Sequence, residues 1–408
     1  MYSDKLLGDI KEEIKNLQAQ GKYKIERELT SAQGPTVKIG DKEVLMFAAN
    51  NYLGLANHPE IVQAAKQAID QYGFGLSSVR FICGTQQLHR QLEQKLAKFL
   101  GTEDAILYST CFMANLGFFA SIINEPMGSE EYQDVIYSDE LNHASIIDAF
   151  KLIKKEKLQK RIYPHSDLLE LEKMLQADQG QTFRHKIIVS DGVFSMEGEV
   201  AKLPQLVELA KKYQALLFVD DAHATGVLGK TGAGTPEYLG IHGQVDVLSG
   251  TFGKALGGAL GGYLAGKKEL IDFLRQKSRT YMFSNSLPPM VVATTIKALE
   301  LLAQEPELLA KSQANTEYFR TKVKALGFKI IDGVHPIVPV MLGEAALAQA
   351  TSKRLLEEGL YVVGLWFPVV PEGTARLRFQ ISAGHSQAQL DRALAILEQV
   401  GRELKIIK

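Results

Sequence analysis

Cysteine is scarce in this chain: Cys83 and Cys111 are the only two among 408 residues. They do not have the spacing of metal ligands, which sets aside a disulfide framework and a thiolate metal centre. A reducing compartment, the cytoplasm, is the expectation. An excess of one charge is also missing. Lys and Arg number 46 against 47 Asp and Glu, a formal net charge of −1. Such a balance gives no global attraction to nucleic acid or to an anionic membrane surface. No apolar run reaches the length of a membrane span, and the opening MYSDKLLGDIKEEIK is charged and amphipathic, without a signal-peptide core. Solenoid-length repeats and low-complexity tracts are absent as well.

What is present is enough apolar material for a large core. At 46% hydrophobic residues, the chain is expected to form a major and a minor domain. The reading places an N-terminal helix and hairpin segment at 1–50, packed with the small domain. A large domain follows at 51–290 and the small domain at 291–408. Short apolar runs begin at 104, 135, 186, 216 and 245 and alternate with helical stretches, which argues for an α/β fold with a mainly parallel sheet. Tyr263–Ala265 reads as an added edge strand, and 146–185 as charged helix and connector. Residues 4–20 read as a surface helix whose stripe of Leu6, Leu7, Ile10, Ile14 and Leu17 packs on the body or on a partner. A hairpin is expected over 36–47, turning at Gly40-Asp41. In the small domain, strands are expected at Phe328–Ile331, Ile337–Met341 and Tyr361–Val363, with helices at 345–358 and 386–402. Glu125–Gln133 reads as an exposed acidic insertion that could reach the site entrance.

In a parallel sheet, ligand groups gather at the carboxyl ends of the strands. The run Leu216–Val219 ends in Asp220 and Asp221, followed by His223. The run Val245–Leu248 leads into Ser249-Gly250-Thr251-Phe252-Gly253-Lys254, with further glycines at 257, 258, 261 and 262. A phosphate-cradling P-loop fails here, because Leu248 stands where a glycine is needed and Ala255 where a hydroxyl is needed. Gly73–Ser78 likewise misses the dinucleotide fingerprint. The chemistry that suits a lysine among glycines beside a strand-end aspartate is a Schiff-base lysine carrying pyridoxal phosphate (PLP), with Asp220 facing the pyridine nitrogen. A lone loop lysine is more often simply solvated; the pairing of Asp-x-x-His with Ser-Gly-Thr-x-Gly-Lys argues against that reading.

Other candidates carry a bland alternative beside the functional one. Thr110-Cys111-Phe112 begins a helix after a strand, where free N–H groups suit a phosphate; Cys111 could equally be a small buried hydrophobe, with no thiol chemistry assigned. His143 lies at a helix start, as a cap or as a site group. Asn50 and Ser195 lie in turn-forming stretches. Arg376 and Arg378 alternate along one strand and share a face, and an arginine fork binds a carboxylate. Arg80 and His89 read as surface or helix-cap polarity and stay outside the site.

VDDAHATG together with SGTFGKALGG, and with NNYLGL, LNHAS and VFSM elsewhere, resembles the α-oxoamine synthase family of fold-type I PLP enzymes over nearly the whole chain. The resemblance implies an aspartate aminotransferase-like fold with a large mainly parallel domain and a smaller α/β domain. It implies a catalytic set of Lys254, His143, Asp220 and His223. Lys254 bears the cofactor and acts as general base, Asp220 stabilises the pyridinium, His223 hydrogen-bonds the phenolate oxygen and His143 stacks on the ring. Main-chain groups of Cys111 and Phe112 meet the phosphate, and Thr251 and Ser195 complete the cofactor contacts. Asn50, Ser195 and Arg378 meet the substrate, with Arg376 structural. Ser284, in RTYMFSNSLPP, reaches the phosphate in the neighbouring subunit of a homodimer with shared sites.

The activity implied is acyl transfer interconverting glycine and acetyl-CoA with 2-amino-3-ketobutyrate and CoA, in threonine breakdown. Within the family, SVRFICGTQ, FSNSLPP and WFPVVPEGTARLR favour it over the joining of alanine to pimeloyl-CoA in biotin synthesis, the 8-amino-7-oxononanoate synthase reaction. A non-catalytic PLP-fold partner subunit would be expected to have lost Lys254 or Asp220. Phe379 and Gly384 depart from the family pattern, which has a smaller apolar residue and alanine there. Metal and nucleic acid have no place in this reading.

Overall fold

The structure, a computed structural model, describes residues 3–20, 22–128 and 131–408. Its strands in chain order are β1 (Thr36–Ile39), β2 (Lys42–Met46), β3 (Asp104–Tyr108), β4 (Asp134–Asp139), β5 (Leu158–Tyr163), β6 (Lys186–Asp191) and β7 (Leu216–Asp220). They continue with β8 (Val247–Thr251), β9 (Gly262–Gly266), β10 (Ile337–Gly343), β11 (Leu360–Tyr361), β12 (Val363–Leu365) and β13 (Ala375–Gln380). Seven of them form the central sheet in the order β3-β9-β8-β7-β6-β4-β5. The pairs β4–β5, β4–β6, β6–β7 and β7–β8 are parallel, and β9 runs antiparallel to β3 and β8.

The sequences DVIYSD, KIIVSD and LLFVD form such strands because they are covered on both faces and need apolar side chains at successive positions. Successive residues therefore enter different cores. Tyr137, Ile188, Leu217, Val219 and Leu248 join one apolar cluster, while Ile136, Ile187, Val189, Phe218 and Val247 join the other. Phe218 lies 4.8 Å, centroid to centroid, from both Phe118 and Phe119. Full burial of each such side chain stabilises the fold by about 1.5–3 kcal/mol. This core brings Asp139, Asp191, Asp220 and Thr251, the last residues of β4, β6, β7 and β8, to one edge of the sheet.

Two smaller sheets have the orders β1-β2-β11 and β10-β13-β12. The hairpin β1–β2 adds to the C-terminal part of the chain through the parallel pairing of Leu45 with Leu360. Phe47, Phe319 and Phe379 pack together with centroid distances of 5.2–6.0 Å. Phe379 is fully buried, so its bulk fills this core and does not enter the site. A Cβ on Gly384 would meet only ordinary contacts of 3.4 Å or more; nothing in the structure requires glycine there.

Several elements differ from the sequence reading. Tyr263–Ala265 is not at an edge: β9 lies between β3 and β8, hydrogen-bonded to both. The 146–185 region contains a strand, β5, at one edge of the sheet, with Lys160 and Ile162 exposed. Phe328–Ile331 makes only an isolated bridge, Ile330 to Val340. The strand expected at Tyr361–Val363 divides between two sheets, as β11 and β12. The first helix, Asp4–Ala19, buries none of its residues, and Leu6, Ile10 and Ile14 face outward. The 125–133 insertion includes residues 129 and 130, which lie outside the described residues. Its described part does not approach the site. Arg184 Nη1 donates to Glu125 and Pro126 carbonyls, and Met127 borders a cleft with Lys186 and Leu216, the first residues of β6 and β7.

Candidate active site

At the carboxyl edge of the central sheet lies a cavity of about 200 Å³ lined by Thr110, Cys111, Phe112, His143, Ser145, Asp191, Val193, Asp220, Ala222, His223, Thr251 and Lys254. Lys254 reaches it from the loop after β8. Thr251 shapes that loop: its hydroxyl donates to Gly261 O at 3.1 Å and accepts from Gly253 N at 3.1 Å. Burial, opposed by the Asp220 carboxylate, lowers the Lys254 amine to about 8. Asp220, at the end of β7, is itself buried. Its Oδ2 accepts from Asn115 Nδ2 at 2.7 Å and its Oδ1 from Ala222 N at 3.0 Å. A buried carboxylate so held keeps a fixed direction.

The helix Cys111–Asn124 begins at the cavity wall. Thr110 is its N-cap, with Oγ1 accepting from Met113 N at 3.1 Å. The N–H groups of Cys111 and Phe112 precede the first intrahelical bonds, which leaves an anion cradle at the positive end of the helix. The Cys111 thiol is pushed well up, by burial first and then by Asp220, and is no nucleophile. The helix start can sit this close to β9 only because residue 262 has no side chain. A Cβ there would lie 2.3 Å from Cys111 N and 2.5 Å from its Cα. Gly262→Ala is therefore expected to cost about 1–3 kcal/mol of stability and to weaken PLP binding; thermal unfolding and a PLP titration check both.

Three further titratable groups face the same space. His143 caps the helix Ala144–Ala149. Its Nδ1 lies 2.7 Å from Ser145 Oγ, and its own backbone N–H donates to Asp191 Oδ1 at 3.1 Å. Burial lowers its basicity. Asp191 is raised well above the usual carboxylate range, by burial first and then by Asp220. His223 is held well below its usual value by burial and then by the positive charges of Lys254 and Arg378. Its Nδ1 lies 2.9 Å from Tyr52 Oη.

Arg378 and Asn50 form a second group beside this one. Arg378 Nη2 donates to Asn50 Oδ1 at 3.0 Å and Nη1 approaches Met196 Sδ at 3.5 Å. Tyr52 Oη, 3.3 Å from Asn50 Oδ1, joins the group to His223. Arg376 is buried and pairs with Glu197 at 3.0 Å, anchoring the loop that carries Ser195 and Met196. Ser195 is on that loop but outside the cavity lining. Ser284 is outside it too, in a separate cleft with its Oγ 3.5 Å from Ser109 Oγ.

Arg80 and His89 are not surface residues. Arg80 is buried against Glu93 at 2.8 Å, and His89 is buried with Nε2 3.0 Å from Leu287 O while it caps its own helix. Together they hold the segment on which Ser284 sits. Sequence reasoning missed Asn115, Asp191 and Tyr52, and also His335, whose Nε2 lies 2.8 Å from the His223 carbonyl oxygen. Asn115 was within reach of helical spacing, since it lies one turn after Cys111 on the cavity helix.

The residues present suit PLP: a deprotonatable buried amine, a fixed buried carboxylate and unpaired helix-start amides border one cavity. The comparisons with known proteins agree with that chemistry. The model for the aminotransferase class I and II family matches residues 42–397, and the chain belongs to this family, with the fold of a type I PLP transferase. The 2-amino-3-ketobutyrate coenzyme A ligase of Salmonella typhimurium is 49% identical over 396 residues, 97% of each chain. The human mitochondrial protein of the same name is 47% identical, over 97% of this chain and 92% of that one. The 8-amino-7-oxononanoate synthase of Thermoanaerobacter pseudethanolicus is 43% identical over 98% of each. Among solved structures, a high-resolution one of SPT with PLP has a TM-score of 0.89 at 31% identity, covering 99% of this chain and 98% of that one.

Proposed function

We propose that this chain is a PLP-dependent acyltransferase that interconverts glycine and acetyl-CoA with 2-amino-3-ketobutyrate and CoA. The observation that carries the reading is 49% identity, across 97% of both chains, with a 2-amino-3-ketobutyrate coenzyme A ligase. The cavity supplies the residues such chemistry needs. A non-catalytic partner subunit is disfavoured because Lys254, Asp220, His143 and His223 all border it.

PLP supplies an electron sink that makes the amino-acid Cα–H acidic. Lys254 and Asp220 would hold the cofactor and the amides of Cys111 and Phe112 its phosphate, with Thr251 shaping the loop that carries Lys254. His143 and His223 would wall its site, and Ser195 lies on the adjoining loop. Arg378 binds the glycine carboxylate and Asn50 aligns the guanidinium, fixing which Cα substituent points to Lys254. Lys254 Nζ then takes the Cα proton. With its amine lowered to about 8, the basic form grows as pH rises through that value, and the proton-transfer rate grows with it.

Ser284 completes the site of a second copy in this reading. Its segment is flanked by exposed Phe81, Ile82 and Phe283, an apolar surface that a homodimer would cover. The chain divides near residues 50 and 290 into an N-terminal segment, a large domain and a small domain. A cytoplasmic enzyme fits the scarcity of cysteine; among the described residues, no helix is long and apolar enough to cross a membrane.

Arg378→Ala removes charge-assisted hydrogen bonds of about 1.5–3 kcal/mol. The KM for glycine is expected to rise about 10- to 100-fold, with a smaller change for acetyl-CoA, as steady-state kinetics will read. The reading itself is tested by thiol release from acetyl- or pimeloyl-CoA with glycine or alanine. Release confined mainly to glycine with acetyl-CoA supports it. A preference for alanine with pimeloyl-CoA moves the protein to the synthase reaction and leaves the cofactor residues as assigned.

A further inference from the structure

We infer that Tyr52 and His335 are positioning residues that hold His223 as the tautomer with its proton on Nε2, presenting a fixed N–H donor to the cavity. What that donor meets rests on the cofactor reading above. The tautomer follows from hydrogen bonds within the chain.

Tyr52 is fully buried. Its Oη lies 2.9 Å from His223 Nδ1 and 3.3 Å from Asn50 Oδ1, and it has one proton to give. Asn50 Oδ1 already accepts from Arg378 Nη2 at 3.0 Å and from the Gln380 amide at 2.6 Å, two donors for two lone pairs. Turning the Gln380 amide faces its oxygen to Arg378 and adds a donation to Tyr52 Oη at 2.8 Å, but it sets that oxygen 2.6 Å from Asn50 Oδ1, so the Asn50 amide must then turn its NH2 there. In either arrangement the phenolic proton is directed to His223 Nδ1, which makes Nδ1 an acceptor. Burial keeps the Tyr52 hydroxyl protonated, and burial with the nearby cations keeps His223 neutral. A neutral imidazole with an accepting Nδ1 carries its proton on Nε2. That nitrogen has no hydrogen bond to a described residue, and the residue lines the cavity.

His335 secures the other side of the same residue. Its Nδ1 accepts from Ile337 N at 3.1 Å, so its own proton is on Nε2, which donates to the His223 carbonyl at 2.8 Å. Its ring stands edge-on to Tyr52, with centroids 5.2 Å apart. Tyr52 thus sets the proton of His223 and His335 sets the backbone behind it. One comes from the segment after β2, the other from the segment entering β10.

The test is ¹⁵N-histidine NMR of the full-length protein, with and without PLP, His223 being assigned through His223→Asn. The expected wild-type spectrum has His223 protonated at Nε2 with Nδ1 accepting. Tyr52→Phe keeps the ring packing and is expected to give a mixture of both tautomers. Its kcat should fall about 10-fold while the KM for glycine stays within about twofold, the scale of other orienting partners. His335→Phe is expected to lower kcat with the tautomer unchanged. A wild-type His223 protonated on Nδ1 overturns the inference even if no variant folds. A Tyr52→Phe spectrum identical to wild type overturns the role of Tyr52, and an unchanged kcat in His335→Phe overturns that of His335. Because the tautomer is read without turnover, a wrong substrate assignment would leave this result standing.

Discussion

Lys254→Ala is expected to lower acyl transfer by roughly four orders of magnitude, because in the proposed reading one substitution removes both the covalent anchor of the cofactor and the base for the Cα proton. The fold should survive it. The Lys254 amine is lowered to about 8 in the folded chain against 10.5 ordinarily, so between those values the unfolded chain binds more protons. Stability of the PLP-free protein therefore rises with pH across that window and is penalised below it, by roughly 3 kcal/mol at neutral pH. Alanine relieves the penalty. The PLP-free variant should accordingly melt no lower than the PLP-free wild type at pH 7, although its activity is gone. Calorimetry and a thiol-release assay on the same preparations separate the two effects. Full turnover in Lys254→Ala would contradict the account.

Asp220→Asn carries the second largest expected effect, a loss of roughly 100- to 1000-fold, the scale of removing one preorganised electrostatic partner from a buried site. The substitution keeps the shape and removes the charge. The structural cost falls on Asn115. Its Nδ2 donates to both Asp220 Oδ2 and Ser145 Oγ and its Oδ1 is buried without a partner, so turning the amide to meet a new NH2 would leave buried donors unpaired. A large loss of rate with a modestly lowered unfolding temperature is the expected pair of results, and full activity would remove Asp220 from the cofactor's electronics.

The parallel part of the sheet was legible because strands covered on both faces must be apolar throughout, as in KIIVSD and LLFVD. The edge strand β5, LQKRIY, was hidden because it lacks the apolar run of the covered strands: Gln159, Lys160, Arg161 and Ile162 lie on or near solvent and only Leu158 and Tyr163 are buried. The place of β9 was misread because order along the chain does not fix order in a sheet. Its interior position depends on Gly262 and Gly266, where a Cβ would approach backbone atoms of Cys111 and Asp246. Within the site, Lys254, Asp220, His143 and His223 follow strand ends directly and could be read locally. The couplings of Tyr52 and His335 to His223 span 171 and 112 residues, so only the assembled fold reveals them. Ser284 and Ser195 remain beside, not within, the cavity of their own chain.

The most direct test of the central claim is borohydride reduction of the PLP-loaded protein followed by peptide mapping. The account predicts a pyridoxyl group on the peptide containing Lys254, lost in Lys254→Ala. A label on another lysine, or none on protein that turns over glycine and acetyl-CoA, would contradict it.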